Sequence, residues 1–173
     1  MYSKCGALYK AQEVFRELPN RDIFSWNAML GGHAQMGEVK RFFHSLRQMR
    51  LEGTMPDSVS FLLLLNACSH TGLLEEGEVL FDDMCKLYYV TPQMRHYTCM
   101  VNLFGRAGHF NKVVSILNVM PSCDHLPLFS SLLFSCYKWV NLELGRWAFE
   151  KLMQLNVDCG ATYVNMSNIG IQD

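Results

Sequence analysis

The stretch IFSWNAMLGGHAQMGEVKRFFHSLRQMRLEGTMPD, residues 23–57, decides how the rest of the chain is read. Its first run, Ser25 to Met36, carries apolar side chains at helical spacing and stops at Gly37. Its second, Val39 to Leu51, does the same and stops at Gly53 and Pro56. Glycine supplies the left-handed residue that ends a helix, and proline cannot continue one. The stretch therefore predicts two short helices joined by a glycine turn. A single helical hairpin cannot bury its own apolar faces, so this one needs neighbours of its own kind.

Such neighbours lie on both sides. Gly6, Gly37, Gly72 and Gly108 stand 31, 35 and 36 residues apart. At the same intervals the second helices carry Phe15, Leu46, Phe81 and Leu117, then Leu18, Met49, Met84 and Met120, and a proline follows each time, at Pro19, Pro56, Pro92 and Pro121. Self-similarity at this period marks a solenoid of stacked units. On this reading MYSKCG is the tail of one helix, Gly6 a turn and Leu8 to Leu18 the next helix. Ser58 to His70 pairs with Leu74 to Leu87 about Gly72, and Met94 to Asp124 repeats the pattern. Leu126 to Leu155 predicts a further hairpin in which Trp139 and Val140 hold the turn instead of glycine, and Ala161 to Ile169 starts one more helix.

Composition narrows the function. Over 173 residues, 50% are apolar and 18% charged, enough apolar material for a sizeable core. A net charge of -1 and a pI near 6.6 leave no general basic footprint, so any nucleic-acid role is local and directed at bases. The seven cysteines include no C-x-x-C pair, which argues against a zinc knuckle or redox motif and for buried thiols in a reducing compartment. The longest apolar run, Phe61 to Leu65, falls far short of the roughly 20 residues of a membrane span. No N-terminal signal or Arg/Ser-rich presequence is evident, and the chain reads as starting in mid-repeat.

Five blocks carry a family resemblance: MYSKCG, SWNAM (Ser25 to Met29), NACSHTGLLEEG (Asn66 to Gly77), HYTCMVNLFGRAG (His96 to Gly108) and ATYVNMSNI (Ala161 to Ile169). In this order they resemble the plant pentatricopeptide repeat (PPR) proteins, and within them the PLS subclass, which alternates standard, long and short repeats and ends in E-type motifs. In that register residues 1–22 are a partial short repeat, 23–57 a standard repeat, 58–93 a long repeat, 94–124 a short repeat, 125–160 an E-type hairpin and 161–173 a truncated further E-type motif. The resemblance implies an all-α fold, an α-solenoid wound as a right-handed superhelix of helix-turn-helix hairpins. It also implies sequence-specific binding of single-stranded RNA in a mitochondrion or chloroplast, as in the recognition of cytidine-to-uridine editing sites or in RNA processing, with editing-complex proteins meeting the E-type region.

The base-reading positions implied by the family are Asn27 and Asp57 in the standard repeat, a pair similar to the one that prefers uracil, and Thr98 and Asp124 in the later short repeat, similar to a guanine-preferring pair. Phe24 would stack on the base. Such reading, one base per repeat by two or three side chains, needs no high positive charge. Leu62 holds the reader's position in the long repeat and has no hydrogen bond to offer, so that repeat reads as a spacer.

Without the family, Asn27 is simply a polar residue early in a helix, and Asp57 a turn or helix-start residue after Pro56. Trp26, Phe42, Phe43, Phe81 and Phe104 read as packing, and Lys40, Arg41, Arg47 and Arg50 as a solvated face. Deaminase chemistry needs an H-x-E motif and a P-C-x-x-C partner; neither occurs, so the chain reads as non-catalytic, without cofactor, metal or small-molecule substrate. A protein-binding helical scaffold is the alternative. Phe42 and Phe43 at usually small or aliphatic positions, Val113 and Val114, the glycine-free turn at Trp139 and the closing GIQD depart from the family pattern and read as a truncated or decayed copy.

Overall fold

The computed structural model describes residues 2–121 and 126–155, with side chains described from residue 8 onward. Among the described residues there are nine helices and no strand: α1 Tyr2–Glu17, α2 Ile23–Met36, α3 Val39–Leu51, α4 Ser58–Thr71, α5 Leu74–Lys86, α6 Met94–Arg106, α7 Phe110–Val119, α8 Leu126–Trp139 and α9 Leu142–Gln154. They fall into two units, Met1–Pro92 and Gln93–Asp173.

In the first unit α2 packs against its hairpin partner α3 and also against α4, the first helix of the next hairpin. The sequence accounts for this. Trp26, Met29, Leu30 and His33 recur at helical spacing along α2 and are all buried, and α3 buries Phe42, Ser45 and Met49 in the same way. Asp22 caps α2 immediately before Ile23, its carboxylate accepting the Ser25 N–H at 2.8 Å. Gly37 ends the helix at φ 67, where its N–H donates to the Ala34 carbonyl. After α3, Gly53 takes φ 80 and the Thr54 N–H donates back to the Met49 carbonyl at 3.0 Å, which closes the last turn before Pro56. The aromatic pair at Phe42 and Phe43 is accommodated: Phe42 is buried and meets Phe43 edge to face at 5.2 Å. Phe61, Leu64, Leu65 and Cys68 of α4 then complete the layer with Leu80 and Met84 of α5.

α1 corrects the sequence reading. It runs unbroken from Tyr2 to Glu17, through the Gly6 at which the repeat period places a turn. A glycine inside a helix costs only about 1 kcal/mol against alanine, and Ala7 through Glu13 are mostly good helix formers, so spacing alone cannot force a turn there.

The second unit repeats the plan. α6 packs against α7 and α8, and α8 against α9. Gly108 turns α6 into α7 at φ 78, and a Cβ there would lie 3.1 Å from the Trp139 ring. Trp139 thus closes on the preceding hairpin's turn, its Nε1 donating to the Arg106 carbonyl at 3.2 Å. Among the described residues three cysteines, Cys68, Cys99 and Cys136, are buried and act as apolar core groups; burial pushes the Cys99 thiol up to about 11 and the Cys136 thiol to about 12. The expected helix at Ala161 to Ile169 lies outside the described residues.

The turn between α8 and α9 has no glycine, and the chain bends there by placing Val140 at φ 52. The left-handed region crowds the Cβ of an L-residue against the neighbouring carbonyl, at a cost of roughly 1–2 kcal/mol. Val140→Gly is therefore expected to raise the urea midpoint, adding about 1 kcal/mol of stability. An unchanged or lower midpoint would show that the strain is relieved elsewhere.

Candidate nucleic-acid interface

Asn27 stands on the first turns of α2 and Asp57 caps the start of α4. Because these two helices lie side by side, residues 30 apart in sequence meet: the Asn27 Nδ2 donates to Asp57 Oδ1 at 3.2 Å. Both side chains are half-buried at the mouth of the layer.

Asp57 has a structural duty at the same time. Its Oδ1 accepts the Ser60 N–H at 2.8 Å, while its own N–H donates to the Ser60 hydroxyl at 3.2 Å, a reciprocal capping box. The single Ser60 hydroxyl proton has two acceptors within reach, Asn27 Oδ1 at 2.6 Å and Asp57 Oδ1 at 3.0 Å, and the shorter contact is to the amide. Burial works to raise the Asp57 carboxyl pKa, but the bonds from the Ser60 N–H, the Asn27 amide and the Ser60 hydroxyl outweigh it. The carboxyl is held below the ordinary carboxylate range and stays ionised at neutral pH.

These bonds leave a defined residual edge. The bonds from the Asn27 amide, the Ser60 N–H and the Ser60 hydroxyl to Asp57 meet at Oδ1. The Asn27 amide has one N–H engaged by Asp57 and one lone pair engaged by Ser60; one N–H and one lone pair remain. One turn before it on α2 Phe24 is 78% exposed, and Val59, at the corresponding place on α4, is 51% exposed. An open apolar flank next to a donor–acceptor edge can hold a flat heteroaromatic ring and read its rim.

The other sequence-predicted positions fare differently. Thr98 is half-buried on α6, its hydroxyl donating to the Met94 carbonyl at 2.9 Å. Asp124, the other member of that expected pair, lies outside the described residues. Leu62 is half-buried on α4. Ser60 was not among the residues picked out by sequence. Asp57-x-x-Ser60 carries a capping-box spacing that marks a helix start, but nothing local shows that the hydroxyl reaches an amide on another helix. The basic residues of α3 are partly spoken for: Arg41 donates to Glu38 and the Arg50 guanidinium lies 5.4 Å over the Tyr88 ring. A separate cleft of about 480 Å³ between α1, α2 and α3, lined in part by Tyr9, Arg16, Trp26 and His44, does not include the pair. Among the described residues no group of His, Cys, Asp and Glu is placed to hold a metal, and no helix is long and apolar enough to cross a membrane.

Residues 21–70 match the PPR repeat family, and residues 59–88 and 95–125 match the PPR repeat. A pentatricopeptide repeat-containing protein of Arabidopsis thaliana is 36% identical over 169 residues, covering 98% of this chain and 23% of its own length. A second from that plant, named as chloroplastic, is 37% identical over 169 residues, 98% of this chain and 20% of its own. The chain thus spans about a quarter or less of these relatives. Among solved structures, the pentatricopeptide repeat protein PPR10 from maize superposes with a TM-score of 0.76 at 22% identity, over 96% of this chain and 25% of that one. The PPR domain of Arabidopsis thaliana protein-only RNase P 1, in complex with tRNA, gives 0.75 at 18% identity, over 98% and 93%. The shared fold is an all-α helical-repeat solenoid.

Since Asp57 caps α4, Asp57→Ala is expected to cost about 1 kcal/mol in urea unfolding, and Asp57→Asn, which keeps an acceptor, less. The lowered carboxyl pKa fixes the pH dependence. The stabilisation from ionised Asp57 is complete above the ordinary carboxylate range and is lost as the pH falls through the lowered folded value. The stability gap between wild type and Asp57→Asn should therefore close only in acid; a gap that stays constant through that range would contradict the assignment.

Proposed function

The chain belongs to the PPR repeat family, and from that premise we propose that it binds single-stranded RNA through the Asn27–Asp57 pair. The observation that carries this reading is the 3.2 Å bond joining the two side chains across adjacent helices, one turn from the exposed Phe24 ring. The free N–H and lone pair of Asn27 complement a uracil edge, which offers one acceptor and one N–H donor. Phe24 supplies the flat contact, with Val59 on the other flank. Maize PPR10 has also been solved in complex with an 18-nt psaJ RNA element, which supports the reading by analogy.

The finer assignments follow the same premise. The chain divides into the partial short, standard, long and short repeats and the E-type hairpin given by the sequence register, with Thr98 and Asp124 as a second reading pair. It serves in an organelle, a mitochondrion or chloroplast, in RNA editing-site recognition or processing, where the E-type region meets editing-complex proteins. It acts by binding, without catalysis of its own. So few reading pairs make few base contacts, so the chain on its own is a weak RNA ligand.

The test is binding to short single strands that differ in the base offered to residues 23–57. Asn27→Ala is expected to lower the preference for uracil about tenfold. Phe24→Ala should weaken all strands alike, by about 1–3 kcal/mol. A variant Asn27→Ala with unchanged affinity and unchanged base preference would remove the RNA-reading assignment and favour a protein-binding scaffold. A nanomolar complex with wild type would contradict the small number of contacts.

A further inference from the structure

We propose that Ser60 is a specificity-determining positioning residue, which fixes the orientation of the Asn27 amide and so lets the pair tell uracil from cytosine. This rests on the RNA-reading assignment above and goes beyond it in naming what sets the discrimination.

A primary amide presents a donor on one side and an acceptor on the other, and a half-turn about its last side-chain bond reverses the order. Uracil and cytosine differ in that same order along their pairing edges. Uracil sets a carbonyl beside an N–H; cytosine sets an amino group beside a bare ring nitrogen. An amide free to turn can satisfy both bases. In this structure it is held at both ends. Asp57, an acceptor only, takes the Nδ2 end at 3.2 Å, and the Ser60 hydroxyl takes the Oδ1 end at the shorter distance of 2.6 Å. Ser60 is itself fixed: it is fully buried, and its oxygen accepts the Asp57 N–H at 3.2 Å, which aims its proton outward toward Asn27 or Asp57. Ser60 touches no base in this arrangement. It acts through Asn27.

The expected effect is on the ratio of affinities. Binding of wild type, Ser60→Ala, Ser60→Thr and Asn27→Ala to short oligouridylate and oligocytidylate is measured by fluorescence anisotropy, with a thermal melt of each variant to follow the loss of the capping-box bond. Ser60→Ala should narrow the uridylate-to-cytidylate ratio about three- to tenfold, mainly by improving relative binding to cytidylate, and Ser60→Thr, which keeps the hydroxyl, should restore it. A purely structural role would lower the melt and weaken both strands equally, leaving the ratio at its wild-type value, and that outcome overturns the proposal. If Ser60→Ala keeps the ratio while Asn27→Ala abolishes it, the positioning role fails and the reading pair stands. If Asn27→Ala also leaves the ratio untouched, or wild type shows none, the reading pair itself fails and Ser60 falls with it.

Discussion

The side-by-side packing of α2 on α4 is the constraint from which the rest of the first unit follows. α2 has apolar residues on more of its circumference than one partner can cover: it packs on α1, where Phe15 meets Trp26 edge to face at 4.8 Å, as well as on α3 and α4. The contact with α4 is what turns a hairpin into a stack. It also sets the start of one first helix beside the next, so that the fifth residue of α2 meets the cap of α4. A different angle between them would leave the same two side chains with the same propensities and no shared bond.

Asp57 shows how a helix cap can hold a second side chain in place. As a cap it must be an acceptor close to the Ser60 N–H, and as an acceptor it stays ionised because its bonds outweigh the effect of burial. Both properties suit it to orient a neighbouring amide. Capping by the Ser60 N–H and pairing with the Asn27 amide meet on the same carboxylate oxygen, Oδ1. Asp22, one period earlier, caps α2 through Ser25 in the same way, yet no amide joins it among the described residues. An aspartate caps both α2 and α4; the paired amide is found at Asp57.

Where the sequence reading and the structure part, the reasons are local. Gly37, Gly72 and Gly108 turn the chain at positive φ, each followed within two residues by a new amphipathic run. Gly6 has the same spacing but is followed by residues that extend a helix at little cost, and α1 passes straight through it. The reverse occurs at Val140, where a β-branched residue accepts the left-handed conformation because the docking of Trp139 over Gly108 and the start of α9 require a bend there.

Most of the helices and their period are written in chain-local patterns, the turn expected at Gly6 excepted. Val39 to Leu51 is a helix with the bounds its apolar spacing and flanking glycines predict, and Asp57 caps α4 as a residue after Pro56 can; the pairing of Asn27 with Asp57 as readers comes from the family resemblance alone. The helix bounds and the cap are properties of chain-local physics: propensity, capping and amphipathic periodicity. What those positions do to one another depends on how the helices pack. Ser60 reads locally as the third residue of a helix, and its hydroxyl acquires a distant partner only when α4 is laid against α2. Hydrogen bonds between residues 30 and 33 apart depend on the distance and angle between packed helices, and those are set by side-chain interdigitation along the whole interface.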